Sequence, residues 1–192
     1  MTRLSAAILA AALFATPALA EPVAYDFDKS HSNLGFSYNH LGYSTTEGRF
    51  GDWQAELLID QEDPSKSRID FTIEIDSLDT FFADRNKHLL SPDFFDAAKF
   101  PQATFVSTSV EKTGDNQLAV TGDLTIRGMT KPVTLDVTVT QIGAHPMANV
   151  PAVGFAAETT VRRSDFGMDM YVPYISDEVK ITFHAEALQK QD

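Results

Sequence analysis

Apolar and polar residues alternate along most of this chain, and the alternation predicts β-strands. The clearest case is RIDFTIEID at residues 68–76, where isoleucine and phenylalanine occupy every second position between acidic residues and threonine. Successive side chains of a strand point to opposite faces, so this segment has one apolar and one polar face. That arrangement is typical of an antiparallel sheet with one buried and one solvated side.

The same period of two recurs along the chain and predicts a large antiparallel sheet. A Thr-Gly-Asp-Asn turn at 113–116 separates two of the segments, and Gly48 and Gly51 predict a bend or bulge. Eight or nine strands with short connections favour a closed barrel, which at about eight strands holds one small ligand. An immunoglobulin-like sandwich is the alternative, but its buried-tryptophan framework is not found. The predicted strands cover residues 23–27, 34–40, 53–59, 69–75, 103–110, 118–126, 133–139, 153–161 and 179–185.

Two segments depart from this pattern. Residues 80–105 contain six of the fourteen phenylalanines, and Ser91-Pro92-Asp93 has the composition of a helix start, with Pro101 ending the helix. We therefore predict a short helical insert around residues 80–100. The second segment, residues 164–178, is rich in aromatic residues and methionine without a sustained period. Two such segments on a barrel are typical of a cover over an apolar cavity, because methionine adapts to irregular surfaces.

The first twenty residues have the features of a cleaved secretion signal. Arg3 precedes an apolar run at 4–15, and Ala18-Leu19-Ala20 forms an A-x-A cleavage pattern. The alternative, a membrane anchor, needs about 20 apolar residues, more than this run supplies. We expect residues 1–20 to be removed and residues 21–192 to form a single domain.

The charge of the chain restricts its partners. It has 15 basic and 27 acidic residues and a net charge of −12, and removal of Arg3 would make this −13. A protein this acidic is repelled by nucleic acid, so no nucleic-acid partner is expected, and by anionic membrane surfaces. The chain contains no cysteine, so its stability depends on a packed core, with no disulfide or thiol chemistry.

The sequence contains no recognised catalytic or metal-binding motif. It lacks G-x-S-x-G, H-E-x-x-H and a glycine-rich phosphate loop. His31 and Ser32 are neighbours, but adjacent residues of a strand point to opposite faces, so they make a poor nucleophile–base pair. We therefore predict no catalytic residues and no enzymatic activity. The five histidines lack ligand spacing. Asp28 and His31, joined by His40 or His88, remain an alternative metal site, but structural histidines are favoured and no metal is expected.

Candidate ligand-binding residues follow from strand parity and from the two irregular segments. Ordinary core packing is the alternative for each ring, and surface ion pairs are the alternative for each basic residue. A basic group beside an apolar opening selects a phosphate or polarises a quinone oxygen. Parity places Arg163 on the inner face and Arg162 outside. The candidates for the apolar cavity are Phe36, Tyr38, Phe71, Ile73, Phe94, Phe95, Phe105 and Phe166, and those for a polar head group are Arg85, His88 and Arg163.

Six separated motifs also resemble those of one protein family. They are DFDKSHSNLGFSYNHLG, EGRFGDWQ, SLDT, RNKHLLSPDFFDAAKFPQATFVST, GDLTIRGMTKPVTL and RRSDFGM, and together they span most of residues 21–192. In this order they closely resemble the YceI-like family of secreted bacterial proteins. The resemblance implies an extended eight-stranded antiparallel, lipocalin-like β-barrel whose interior holds a polyisoprenoid or another long amphiphile. Matching positions include Asp28, His31, Gly48, Thr80, Arg85, His88, Phe94, Phe95, Arg127, Arg163 and Phe166.

The residues and the resemblance together favour a periplasmic carrier or sensor of a long isoprenoid lipid, such as a quinone or a polyprenyl phosphate. No cofactor is expected beyond this bound lipid. A transient contact with a membrane protein and a homodimer are left open. Two other classes also remain. One is an enzyme that acts on the bound lipid, and the other is a structural or partner-binding barrel with a filled interior.

Overall fold

The computed structural model describes residues 21–191. The predicted signal peptide, residues 1–20, lies outside the described residues, so it stays a prediction. The strands are β1 Val23–Phe27, β2 Asn33–His40, β3 Ser44–Phe50, β4 Trp53–Ile59, β5 Arg68–Glu74, β6 Leu78–Asp79, β7 Gln102–Lys112, β8 Gln117–Ile126, β9 Met129–Ala144, β10 Pro151–Arg162 and β11 Ile175–Gln189, and one α-helix, α1, covers Ala83–Leu89.

The strand segments form one closed antiparallel sheet. Their order is β1-β4-β5-β7-β8-β9-β10-β11-β2-β3-β6, and pairing of β1 with β11 closes the ring. Strand β11 pairs with β2 through its first half and with β1 through its last residues. The pairs β1–β2, β3–β4 and β5–β6 are therefore three interrupted strands, and the segments occupy eight barrel positions. The predicted eight-stranded antiparallel barrel is confirmed, and the sandwich alternative is wrong.

The three interruptions lie side by side on neighbouring strands. The first is a 3₁₀ turn at Lys29–His31, where an Asp28 carboxylate oxygen accepts the Ser30 N–H at 2.9 Å. The second falls at Gly51, which donates its N–H to the Ser77 carbonyl at 3.2 Å. The third is a 3₁₀ turn at Ile75–Ser77. Because these N–H groups find acceptors within their own turn or in the adjacent turn, the chain changes direction without leaving them unpaired.

Beyond the third interruption the sheet is open. Pairing of β5 with β7 ends at Glu74 and Gln102, and β6 pairs only with β3. The gap between β6 and β7 is filled by residues 80–101, which include α1. An unpaired sheet edge needs a cover, so this insert completes the barrel wall at one end.

The helix in the insert begins earlier than the Ser91-Pro92-Asp93 pattern predicts. It covers Ala83–Leu89, and residues 91–100 form successive turns. The prediction of a helix start at Ser91 is wrong because Asp96 has a φ of 50° and the Phe95 N–H bonds back to the Leu89 carbonyl at 3.0 Å. This reversal folds the second half of the insert onto the end of α1.

An aromatic plug fills the other end of the barrel. We use this name for Phe27, Trp53, Phe71 and Phe183, whose ring centroids lie 5.0 to 5.6 Å apart in contacting pairs. Edge-to-face and stacked pairs at this spacing stabilise the fold beyond the area that they bury. A smaller apolar cluster around Ala187 lies beyond the plug, so the barrel interior is closed at this end.

We expect Phe71→Ala to lower the free energy of unfolding by about 3–5 kcal/mol, because it leaves a cavity where the ring packs against Trp53 and Phe183. Urea unfolding followed by the fluorescence of Trp53, which stacks on Phe71, measures this loss. The exposed Met147→Ala serves as the control and should change stability by less than about 0.5 kcal/mol. A loss below about 1 kcal/mol for Phe71→Ala would show that the plug is not part of the stabilising core.

Candidate functional site: an apolar cavity with a basic mouth

A cavity of about 360 Å³ lies between the open end of the barrel and the insert. Seventeen of its lining side chains are aliphatic, phenylalanine or methionine. Strands β2 and β11 contribute facing pairs to its wall, with Tyr38 opposite Val179 and Phe36 opposite Ile181. Ligand pockets commonly have volumes of about 300–1,000 Å³, so this cavity is large enough for a small ligand.

A second cavity of about 100 Å³ lies deeper in the barrel, and Phe71 and Phe105 line it. It shares wall residues with the main cavity, including Leu34 and Ile181, so the two are neighbours. Two of the eight predicted cavity residues, Phe71 and Phe105, therefore line this deeper space. The other six, Phe36, Tyr38, Ile73, Phe94, Phe95 and Phe166, line the main cavity.

The phenylalanines of the insert divide into two groups. Phe94 and Phe95 both face the cavity, where Phe94 packs edge-on against His88 at 4.9 Å and Phe95 against Phe50 at 5.9 Å. Phe81 and Phe82 are exposed to solvent. Sequence reasoning predicted the inward pair but not the outward pair, because an irregular segment has no period from which to assign a face.

A glycine in β3 makes room for one cavity ring. A Cβ atom at Gly48 would lie 2.4 Å from the Phe36 ring, which is closer than carbon atoms approach without repulsion. Gly48 was predicted to mark a bend, but it lies inside β3 and the strand break falls at Gly51. Close approach of the Phe36 ring is the physical reason for glycine at position 48.

Arg85 reaches the cavity from α1 and is held there by Thr80. Its Nε donates to the Thr80 hydroxyl at 2.9 Å, and one terminal nitrogen donates to the Thr80 carbonyl at 2.6 Å. Thr80 is fully buried, and its own N–H donates to the Asn86 side chain at 2.8 Å. Among the described residues, no carboxylate forms an ion pair with Arg85 within 4 Å. The guanidinium therefore keeps free donors at the cavity mouth.

Arg163 lines the same cavity, and its donors are directed to the backbone. Its guanidinium donates to the carbonyl oxygens of Ser176 at 2.9 Å and Ile175 at 3.0 Å, and also to that of Met168. Burial lowers the pKa of Arg163 below its ordinary value, and nearby Asp177 partly offsets this effect. These bonds fix the segment that leads into β11. A head-group role for Arg163 stays a prediction, but the contacts establish a structural role.

The described residues that line the cavity include no aspartate or glutamate. They do include two arginines and two histidines: Arg85, Arg163, His40 and His88. In a chain with 27 acidic residues, such a wall strongly favours a neutral or negatively charged ligand group over a cation. His88 is exposed and its ring lies 6.3 Å from that of Tyr171, so this pair belongs to the mouth.

Sequence reasoning missed the residue that connects the two covering segments. Arg127, in the tight turn between β8 and β9, donates to the Gly167 carbonyl on one side and to the Pro92 carbonyl at 3.3 Å on the other. It thus ties the insert to the segment before β11. Arg127 matched a family motif, but its partners are 35 and 40 residues away in sequence, so local pattern could not identify them.

The Asp28 and His31 pair, the centre of the alternative metal site, is a local structural unit. His31 Nδ1 lies 2.8 Å from one Asp28 carboxylate oxygen, and the Ser30 hydroxyl donates to the other at 2.6 Å. The hydrogen bond with Asp28 raises the pKa of His31, and bonds from Ser30 and His31 lower the pKa of Asp28. Within residues 21–191, no group of three or more His, Asp or Glu side chains is placed to hold a metal ion.

The same part of the chain has no helix long and apolar enough to cross a membrane.

Comparison with known proteins identifies the family. The model of the YceI-like domain matches residues 25–187, which include the cavity lining and nearly all of the barrel. The chain belongs to the YceI-like family. It is 40% identical over 184 residues to protein YceI of Salmonella arizonae, and the match covers 95% of each chain.

Solved structures of other proteins have the same fold. BcnA of Burkholderia cenocepacia superposes with a TM-score of 0.77 at 32% identity, covering 84% of this chain and 99% of that one. A polyisoprenoid binding domain from Saccharophagus degradans, implicated in plant cell wall breakdown, superposes with a TM-score of 0.67 at 16% identity. That match covers 88% of this chain and 99% of the domain, and at this identity it establishes a shared fold alone.

We expect Arg163→Met to lower the free energy of unfolding by about 2–4 kcal/mol, because it leaves buried carbonyl oxygens without donors. Urea unfolding measures the loss, and amide hydrogen exchange should accelerate in residues 167–176. Arg163→Lys should not restore stability, since one ammonium group does not reproduce the planar fork that binds three carbonyls.

The neighbouring Arg162→Met is the matched control, because Arg162 is exposed and pairs only with Asp165 among the described residues. It should change stability by less than about 0.5 kcal/mol. Full rescue by lysine at position 163 would contradict the bracing role of the guanidinium.

Proposed function

We propose that this YceI-like barrel binds an isoprenoid lipid or a similar long amphiphile, with its tail in the main cavity and its polar head at the mouth. The observation that carries the proposal is the cavity itself, an apolar space whose described lining has no carboxylate and two arginines. The shared fold with a polyisoprenoid binding domain supports it. A quinone and a polyprenyl phosphate both fit this description, because each joins an apolar tail to an oxygen-rich head.

The volume of the cavity limits how much tail it encloses. An engineered cavity of about 150 Å³ in another protein binds benzene, so about 360 Å³ accommodates roughly fifteen carbon atoms. This corresponds to about three isoprene units. A longer tail therefore either extends out of the mouth or displaces rings toward the deeper cavity beside Phe71 and Phe105.

The head group would lie near Arg85 and His88. Thr80 already orients the Arg85 guanidinium, so binding does not have to order a flexible side chain first. Hydrogen bonds from a charged guanidinium to an oxygen anion are roughly twice as strong as neutral ones. Arg85 thus supplies the polar part of the interaction, and Phe94 and Phe95 enclose the first part of the tail.

An exchangeable carrier suits this site better than a permanent store. Burial of each methylene group from water contributes about 0.8 kcal/mol, but a lipid that comes from a membrane is already out of water. Transfer of the tail into the cavity is then nearly neutral, and contacts with the head decide its direction. We place this carrier in the periplasm, reached through removal of residues 1–20, and expect no cofactor besides the lipid.

Two other functions require different observations. An enzyme would need a group aimed at the head, and His88, exposed beside Tyr171, is the nearest candidate. In that case His88→Gln would abolish turnover and leave binding intact. A barrel with a purely structural role would have its interior filled by side chains, and the cavity of about 360 Å³ argues against that.

We expect affinity to rise by at least tenfold from geranyl phosphate to farnesyl phosphate, because the added isoprene unit enters the cavity. From farnesyl to geranylgeranyl phosphate it should change by less than about threefold, since the cavity is then full. Isothermal titration calorimetry below the aggregation concentration of each ligand measures both steps. An equal gain with every added unit would show instead that the inner rings move aside.

We expect Arg85→Gln to weaken farnesyl phosphate binding by about tenfold and farnesol binding by much less, because only the phosphate interacts with the guanidinium charge. Titration of both ligands separates a head-group role from a structural one. The outward-facing Arg162→Gln is the matched control and should leave both affinities unchanged. Equal losses for the two ligands would mean that Arg85 serves only to hold α1.

A further inference from the structure

Exposed apolar side chains are concentrated around the cavity mouth. Six of the eleven large apolar residues exposed in the described part of the chain form what we call the mouth ring: Leu41, Tyr43, Phe81, Phe82, Tyr171 and Tyr174. The Leu41 N–H bonds to the Tyr174 carbonyl at 3.1 Å, which joins the β2–β3 turn to the segment before β11. Tyr171 contacts His88 of α1, which follows directly on Phe81 and Phe82.

The two most prominent parts of the mouth ring carry no charge. Residues 41–46 and 170–176 contain no Asp, Glu, Lys or Arg, although the whole chain has a net charge of −12. Tyr43 is 91% exposed and Tyr174 is 74% exposed. Aromatic rings are enriched where proteins meet the boundary between lipid headgroups and hydrocarbon. The acidic walls of the barrel are repelled by anionic surfaces, so the end that presents these two uncharged segments is the one that approaches a membrane.

Backbone conformation sets the mouth ring apart as well. Leu41, Phe81 and Tyr171 have φ values of 57°, 63° and 65°. Bulky residues seldom adopt this left-handed conformation, which favours glycine. Large side chains held at strained positions are found mainly at functional sites. Three such residues in one exposed ring indicate a function that needs apolar side chains there.

We infer that the mouth ring docks on the surface of a phospholipid bilayer, with the cavity mouth turned toward the hydrocarbon. Docking there gives a lipid a path into the cavity that avoids water, and in this respect the inference rests on the proposed function. A second copy of the chain would also cover the rings, but two mouths sealed together would close the cavity to any membrane. The bilayer is the occupant that fits both the rings and the opening between them.

Fluorescence of an introduced tryptophan tests the orientation. Tyr43→Trp places the reporter in the mouth ring, and Met147→Trp places it in the β9–β10 turn, at a residue that is 85% exposed. Trp53, the only native tryptophan, is buried in the aromatic plug and gives a constant background. With phosphatidylcholine vesicles that carry brominated acyl chains, Tyr43→Trp should be quenched and Met147→Trp should not. Equal quenching of both variants, or of neither, would overturn docking through the mouth ring.

The double variant Tyr43→Ser/Tyr174→Ser tests the energetics. It should reduce partitioning into these vesicles roughly tenfold at low and high salt alike, whereas Met147→Ser should leave it unchanged. Neither tyrosine lines the cavity, so affinity for farnesyl phosphate in solution should be unaffected. If the double variant instead abolishes self-association in analytical ultracentrifugation without changing partitioning, the mouth ring is an interface between copies and bilayer docking is wrong.

The two proposals fail in different measurements. Quenching of Tyr43→Trp without any binding of farnesyl phosphate would leave docking intact and contradict the proposed ligand. Binding of farnesyl phosphate without quenching would leave the ligand site intact and contradict docking.

Discussion

The end of strand pairing between β5 and β7 is the constraint on which the rest of the site depends. Pairing stops at Glu74 and Gln102, while β6 continues beside β3 alone. Two sheet edges are thereby left apart, and backbone groups at such edges need partners or a cover. Residues 80–101 supply that cover, and an insert that closes a gap from outside leaves space behind it. The cavity is the consequence of that geometry.

Hydrogen bonds from arginine side chains to backbone carbonyls hold the covering segments in place. A few side chains are therefore enough to keep the cavity open. Arg163 binds two carbonyls at the start of β11 and that of Met168 before it, Arg127 joins Gly167 to Pro92, and Arg85 is fixed by Thr80. Arginine suits this task because its planar group makes several hydrogen bonds at fixed angles. Apolar packing alone would favour collapse of the rings into the space, whereas these bonds keep the walls apart. Of these three arginines, Arg85 and Arg163 also line the cavity, and they give its wall a positive charge.

The aromatic plug and the cavity are both built from inward-facing strand positions, in different parts of the barrel. The aromatic plug uses inward positions of β1, β4, β5 and β11, and the cavity uses inward positions of β2 and the first half of β11. Whether an inward ring becomes core or cavity wall depends on what faces it. Phe71 illustrates this. Strand parity predicted that Phe71 contacts the ligand, but its ring stacks on Trp53 and borders only the deeper cavity.

The sequence by itself determined most of the strands, their inward faces, the barrel and the family, because a period of two along a strand is a local property that any correct fold must satisfy. It also predicted Phe94, Phe95 and Arg85 as cavity residues from a segment without that period, and all three line the cavity. It did not predict β3 or the short β6, which lack a clear alternation. Only the tertiary structure decided where α1 begins, why Gly48 is needed beneath Phe36, and that Arg127 ties together two segments. These features arise from contacts between residues distant in sequence. Such contacts exist only after the chain has closed, so no local pattern could encode them.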